Sequence, residues 1–138
     1  MSKGSGKPDV SEQKLWGVSE QPEQDSRLGD YLAHMLEAIS LARTYTEGMN
    51  KQDFLDDKRT QQAVILNLLT LGEAASHIAR LYPAFCDKHP QLPWKQMRGM
   101  RNRMAHGYFD INLEIVWETI SNNLTELETA IRTVFEAD

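Results

Sequence analysis

Apolar residues recur every three or four positions through three long runs of this chain, and no useful stretch alternates apolar with polar residues at a period of two. A chain that offers apolar stripes at helical spacing and no strand face has to pack helix on helix. The first run, Ser26 to about Glu47, sets Leu28, Tyr31, Leu32, Met35, Ile39, Ala42 and Tyr45 on one side, with Ser26 as N-cap and Gly48 as the stop. The second, about Lys58 to Leu81, is apolar nearly all round and ends before Pro83. Such a helix belongs at the centre of a bundle or at a subunit contact. The last, Ile111 to Phe135, carries Leu113, Val116, Trp117, Ile120, Leu124, Leu127, Ile131 and Val134 as a near-heptad seam. Between them, Asn50 to Asp57 reads as a polar turn anchored by Phe54 and Leu55. Pro83 to Pro93 reads as a three-proline loop, and Trp94 to about Ala105 as a short helix ended by Gly107. The expected fold is all-α, an up-and-down bundle of four to five helices. The apolarity of the second and last helices exceeds what one small bundle needs, which predicts a homodimer.

At 138 residues the chain fits one domain, expected over residues 26–138 behind a flexible lead-in of residues 1–25. Its longest mostly apolar stretch, Ala63 to Leu71, is broken by Asn67 and Thr70. That is far short of the roughly 20 residues a spanning helix needs, so no membrane role is expected. The single cysteine, Cys86, excludes an internal disulfide framework and a cysteine-based zinc site, and suits a cytoplasmic protein. His34, His77 and His89 form no ligand set by spacing, so no metal or other cofactor is expected. A net charge of −5 argues against a protein that coats nucleic acid with its whole surface.

The charge is nonetheless uneven. From Lys88 to Phe109 there are five cations (Lys88, Lys95, Arg98, Arg101 and Arg103) and no acid, while the rest of the chain carries all 20 acids against 10 Lys and Arg. A basic segment in an acidic chain is either a solvated helix face or a local anion site. The polar exceptions on the second helix, Asn67, Thr70, Glu73 and His77, recur at helical spacing as one stripe that faces water or lines a cleft. Trp94 and Trp117 read as packing residues.

Within the basic segment, Met100 to Phe109 reads MRNRMAHGYF, which contains R-x4-H-x-Y as Arg101, His106 and Tyr108. Five residues along an α-helix is about 500°, so Arg101 and His106 point roughly 140° apart and converge only if the chain leaves the helix near His106 or the long arginine side chain swings round. Gly107, which tolerates a left-handed conformation, offers that exit. Asn102 lies four residues before His106 and can hold one imidazole nitrogen. Histidine changes charge near neutral pH and moves protons, and arginine presents a fixed fork of donors to phosphate oxygens. Together they suit cleavage of RNA through its own 2′-hydroxyl, where the protein needs no nucleophile and no metal. The same residues also fit an ordinary helix end, with His106 against the macrodipole and glycine as cap. Spacing alone leaves both readings open. Lys95, Arg98 and Arg103 are candidate RNA-backbone contacts.

Eight blocks in order resemble one family. They are Tyr31-Leu-x-His-Met-Leu-Glu-Ala-Ile39, Tyr45-Thr-Glu-Gly48, Gln61-x-Ala-Val64, Leu71-Gly-Glu-Ala74, His89-Pro-x-x-Pro-Trp94, Met100-Arg-Asn-Arg103, His106-Gly-Tyr-Phe109 and Val116-Trp-Glu-Thr119. From about Arg27 to Val134 the chain resembles the HEPN superfamily, and within it the HepT-like toxins of toxin–antitoxin pairs. The resemblance implies a dimeric helical bundle that brings two R-x4-H motifs to one cleft. It implies a metal-independent endoribonuclease using Arg101 and His106 with Asn102 in support, and Glu73 as possible cleft support. It further implies a type VII-like pair with a minimal nucleotidyltransferase antitoxin (MntA-like) that transfers AMP to Tyr108. The competing reading is a non-catalytic HEPN module that binds a nucleotidyltransferase or a nucleotide.

Overall fold

The computed structural model describes residues 27–137. The lead-in and the expected N-cap Ser26 lie outside the described residues. Four long helical stretches carry the fold: α1 (Leu28–Tyr45), α3 (Lys58–Leu81), α5 (Trp94–His106), and a C-terminal helix formed by α6 (Leu113–Glu118), a π turn (Thr119–Asn123) and α7 (Leu124–Ala137). Two short helices, α2 (Lys51–Leu55) and α4 (Pro83–Lys88), occupy the stretches expected to be turn and loop. No strand occurs among the described residues, so the all-α expectation holds.

Each correction has a local cause. Asn50 makes a capping box: its side chain accepts from Asp53 N–H at 2.8 Å, and its own N–H donates to the Asp53 carboxylate at 3.1 Å. That pair satisfies two free amide donors, enough to wind one turn where polarity alone suggested a loop. Pro83 opens α4 at a position that needs no N–H. Gly107 ends α5 with φ −122, not in the left-handed region, and its N–H donates to Arg103 O at 2.7 Å. The glycine expected to be left-handed there is one at Gly48 instead, with φ 82.

In the C-terminal helix, Val116, Ile120 and Leu124 are all buried. Two successive four-residue steps drift about 80° on a regular α-helix. The π turn widens the helix over Thr119–Asn123 and takes up that drift, so that Leu124 still faces inward.

α3 is the hub. It packs most extensively on α1, then on α5, and also meets α2 and α4, while α7 covers the other side of α1. Val64, Leu68, Leu71, Ala75 and Ile78 of α3 meet Met35, Ile39 and Ala42 of α1 in one buried cluster with Ile131 and Val134 of α7. Phe54 is wholly buried with its ring 5.5 Å from that of Trp117, which pins α2. Most of the near-continuous apolarity of α3 is therefore consumed inside the chain, with Leu66 left outside. Leu66, Phe109 and Ile115 remain as large exposed apolar side chains.

Candidate active site

The site begins where α3 crosses α5. A Cβ added to Gly72 would lie 2.5 Å from Arg101 Cβ and 2.7 Å from Met97 O, closer than any side chain tolerates. Glycine at position 72 thus lets the two backbones touch, and the touching point is Arg101 itself. The next residue, Glu73, catches the guanidinium: Arg101 Nε donates to Glu73 Oε1 at 2.6 Å. Arg101 Nη1 donates to Asn102 Oδ1 at 2.9 Å. Two of the five N–H groups are so used, and three are left for a ligand. Both partners of the Glu73–Arg101 pair are partly open to water, so the pair contributes about 0.2–1 kcal/mol at most. Its weight is in aiming the fork.

Glu73 is braced from its far side. Arg80 Nη2 lies 2.6 Å from His77 Nδ1. A guanidinium only donates, so Nδ1 accepts and the imidazole proton sits on Nε2. That nitrogen lies 3.5 Å from Glu73 Oε2. The other face of the assembly is Tyr31 of α1, whose ring stacks on His77 at 5.3 Å and 12°.

Two clefts open on this assembly. One, of about 490 Å3, includes Tyr31, Thr70, Glu73, His77, Arg101 and Ala105 in its lining. The other, of about 340 Å3, includes Arg80, Arg98, Arg101 and Asn102 and shares Glu73 and His77. Three of the four residues in the polar stripe of α3, Thr70, Glu73 and His77, therefore line a cleft. The fourth, Asn67, returns its amide to Ala63 O at 2.9 Å.

The expected site residues are divided by this geometry. Arg101, Asn102, Glu73 and Arg98 come together. Lys95 and Arg103 are exposed and do not line either cleft. His106 stays on the helix, exposed, and makes no hydrogen bond or ion pair among the described residues. Asn102 holds Arg101 and not the imidazole: α5 runs unbroken through His106, which keeps both within its reach, and its Oδ1 takes the charged guanidinium donor. Tyr108 follows in a single 3-10 turn (Tyr108–Asp110), 48% exposed, edge-on to Phe109 at 5.9 Å. Phe109 is 97% exposed. Arg80 and Tyr31 were not anticipated as site residues. Arg80 follows His77 by one helical step and extends the polar stripe, whereas Tyr31 sits in a core pattern that hides its outer edge.

Cys86 lines neither cleft; burial, reinforced by Asp87 and partly offset by Arg98, pushes its thiol pKa up. Among the described residues no three His, Cys, Asp or Glu side chains converge to hold a metal ion. No helix there is long and apolar enough to cross a membrane.

Residues 35–134 match the family described as Ribonuclease HepT-like. A protein of Thermococcus cleftensis named Probable ribonuclease HepT is 36% identical over 99 residues, covering 72% of this chain and 87% of that protein. A protein of Methanocaldococcus jannaschii that carries the name Putative RNase is 37% identical over 119 residues, covering 82% of this chain and 93% of its own length. Another of that name, from Caldanaerobacter subterraneus subsp. tengcongensis, is 32% identical over 108 residues, covering 78% and 94%. No solved structure matches. The chain therefore belongs to the ribonuclease HepT-like family and is, by that membership, an RNase of the HEPN type.

Proposed function

We propose that the chain is a metal-independent endoribonuclease in which Arg101 and His106 act on one phosphodiester. The 2′-hydroxyl of RNA attacks phosphorus and the 5′-oxygen leaves. The His106 imidazole takes the 2′-hydroxyl proton or protonates the leaving oxygen. The Arg101 fork stabilises the charge that grows on the phosphoryl oxygens. Asn102 and Glu73 position that fork. The observation that carries the reading is the fixed guanidinium: Arg101 is held on two sides and lines two open clefts. A module that only binds a partner has no use for a guanidinium held on two sides and aimed into open clefts.

His106 points away from Arg101 within one chain, so the complete site is that of a homodimer whose two motifs face one cleft. The exposed Phe109 and Ile115 beside the motif give a second chain an apolar surface to cover. The chain is the toxin of a pair, silenced by a nucleotidyltransferase antitoxin. Tyr108 is exposed and two residues from His106, which supports it as the acceptor. Its phenolic oxygen attacks the α-phosphate of ATP, pyrophosphate leaves and the phenol loses its proton. The AMP group adds bulk and negative charge where RNA phosphate would enter.

Purified chain should cut RNA in excess EDTA, while Arg101→Ala and His106→Ala should leave it intact. Equal activity in all three defeats the assignment of Arg101 and His106, and RNA left intact by all three defeats the metal-independent ribonuclease reading. Co-expression with the nucleotidyltransferase should add the mass of adenylate at Tyr108, and light scattering should report twice 15.8 kDa. An unmodified Tyr108 or a monomer removes the corresponding part.

A further inference from the structure

Cleavage chemistry needs one arginine and one histidine, yet the clefts on either side of Arg101 are built with more. The larger has a ring ledge: Tyr31 and His77 stack nearly parallel on one another, and both line the cleft alongside the apolar Leu69, Ala74 and Ala105. The smaller gathers the guanidinium groups of Arg80, Arg98 and Arg101 around a single acid, Glu73, in a chain whose net charge is −5. That acid is already engaged by Arg101 and faces His77. An aromatic ledge suits the face of a base, and stacking there is worth about 1–3 kcal/mol per base. Guanidinium forks suit a phosphate. The two surfaces adjoin across the Glu73–Arg101 bridge, as base and phosphate do in one nucleotide.

The geometry points to a nucleotide-binding subsite that flanks Arg101: an unpaired base enters the Tyr31–His77 cleft while an adjoining backbone phosphate lies on Arg80 and Arg98. The subsite selects single-stranded RNA, because bases inside a duplex have both faces covered by their neighbours and cannot reach a ledge recessed between helices. Identifying the ligand as RNA rests on the ribonuclease reading above. The surface itself is read from residues outside the R-x4-H motif.

The test is binding of 2′-O-methyl RNA, which lacks the 2′-hydroxyl nucleophile and stays intact, to the full chain. Single strands and duplexes of equal length are compared by fluorescence anisotropy. Wild type should prefer the single strand by about tenfold or more. Tyr31→Leu keeps apolar volume in the core and removes the ring, so it should erase most of that preference, while Tyr31→Phe should keep it. These changes match the roughly 5- to 150-fold that one stacked base is worth. Arg80→Ala and Arg98→Ala should weaken both ligands alike and each flatten the salt dependence by about one phosphate contact. Free AMP should compete only weakly, since it offers one phosphate and no strand. Equal affinity for strand and duplex, Tyr31→Leu binding like wild type, or AMP competing at equal concentration would each overturn the subsite. Cleavage separates the two readings. If wild type cuts RNA but lacks strand preference, only the subsite falls. If strand preference depends on Tyr31 but nothing is cut, only the ribonuclease reading falls.

Discussion

Arg101 and His106 sit five residues apart on one helix and are held in opposite ways. The arginine end of α5 is pressed on α3 at Gly72, and its side chain is tied by Glu73 and Asn102. The histidine end is exposed, without a partner among the described residues, and runs into a turn with Tyr108 and Phe109 open to solvent. A single chain preorganises the charge-stabilising half of the proposed reaction and leaves the proton-moving half to be completed from outside. Under the proposed function, that exposed half is where a second chain and a modifying partner would both act.

The largest expected effect is chemical. Arg101→Ala and His106→Ala should each lower RNA cleavage by about 10²–10⁴-fold. Their structural consequences should differ: His106→Ala should leave the fold unchanged by circular dichroism, whereas Arg101→Ala releases Glu73. Arg101→Lys keeps the charge but has no Nε–H fork, so it should resemble alanine more than wild type in kcat. Recovery of full activity by lysine would show that aim does not matter.

Next comes the contact that aims the fork. Gly72→Ala places a methyl 2.5 Å from Arg101 Cβ. It should cost about 1–3 kcal/mol in urea unfolding, against the roughly 1 kcal/mol that alanine normally adds to a helix. Gly99→Ala is the matched control, because Gly99 also lies inside a helix and an added Cβ there would meet nothing within 4 Å. It should cost clearly less. If both cost the same, the close approach at Gly72 has no special weight.

Smaller still is Glu73. Glu73→Ala should lower kcat roughly tenfold with KM little changed, less than the ~10²-fold that a 1 Å misplacement can cost. Glu73→Gln should retain most of the rate, since its amide oxygen still accepts from Arg101 Nε. A change confined to KM would make Glu73 part of the binding surface and not a positioning residue.

The smallest effect lies far from the site. Asp57 caps α3 by accepting from Thr60 N–H at 3.0 Å and from its hydroxyl at 2.8 Å. Those bonds hold its pKa below the ordinary 3.8. A carboxylate depressed in the folded state contributes stability above its unfolded pKa and loses it as pH falls through the folded one. Urea midpoints should therefore decline on acidification below about pH 4, and Asp57→Asn should flatten that part of the curve. An unaltered acid limb would remove Asp57 from the balance.

The helices of the bundle were legible because burial imposes a period of 3.6 on Leu, Ile, Val and Met wherever a long helix forms. The short helices α2 and α4 were not, because a capping box at Asn50 and a proline at position 83 are one-turn signals within polar sequence. At the site, the stripe of Asn67, Thr70, Glu73 and His77 was visible as a face that either meets water or lines a cleft, and the last three line the clefts beside Arg101. The partner of Asn102 could not be read, since Arg101 and His106 both lie within its reach on one helix and spacing does not rank them. Tyr31 was hidden because a ring can pack against the core and still line a cleft, and spacing reports only the first.

The most direct measurement is the chemistry of the cut ends. Single-stranded RNA incubated with the full chain in excess EDTA should yield 2′,3′-cyclic phosphate ends by mass spectrometry. A 2′-deoxy substitution at the cut position should abolish that cut, as should His106→Ala. Ends bearing a 3′-hydroxyl, cleavage that survives the deoxy substitution, or RNA left whole would contradict the pairing of Arg101 and His106 on one phosphodiester.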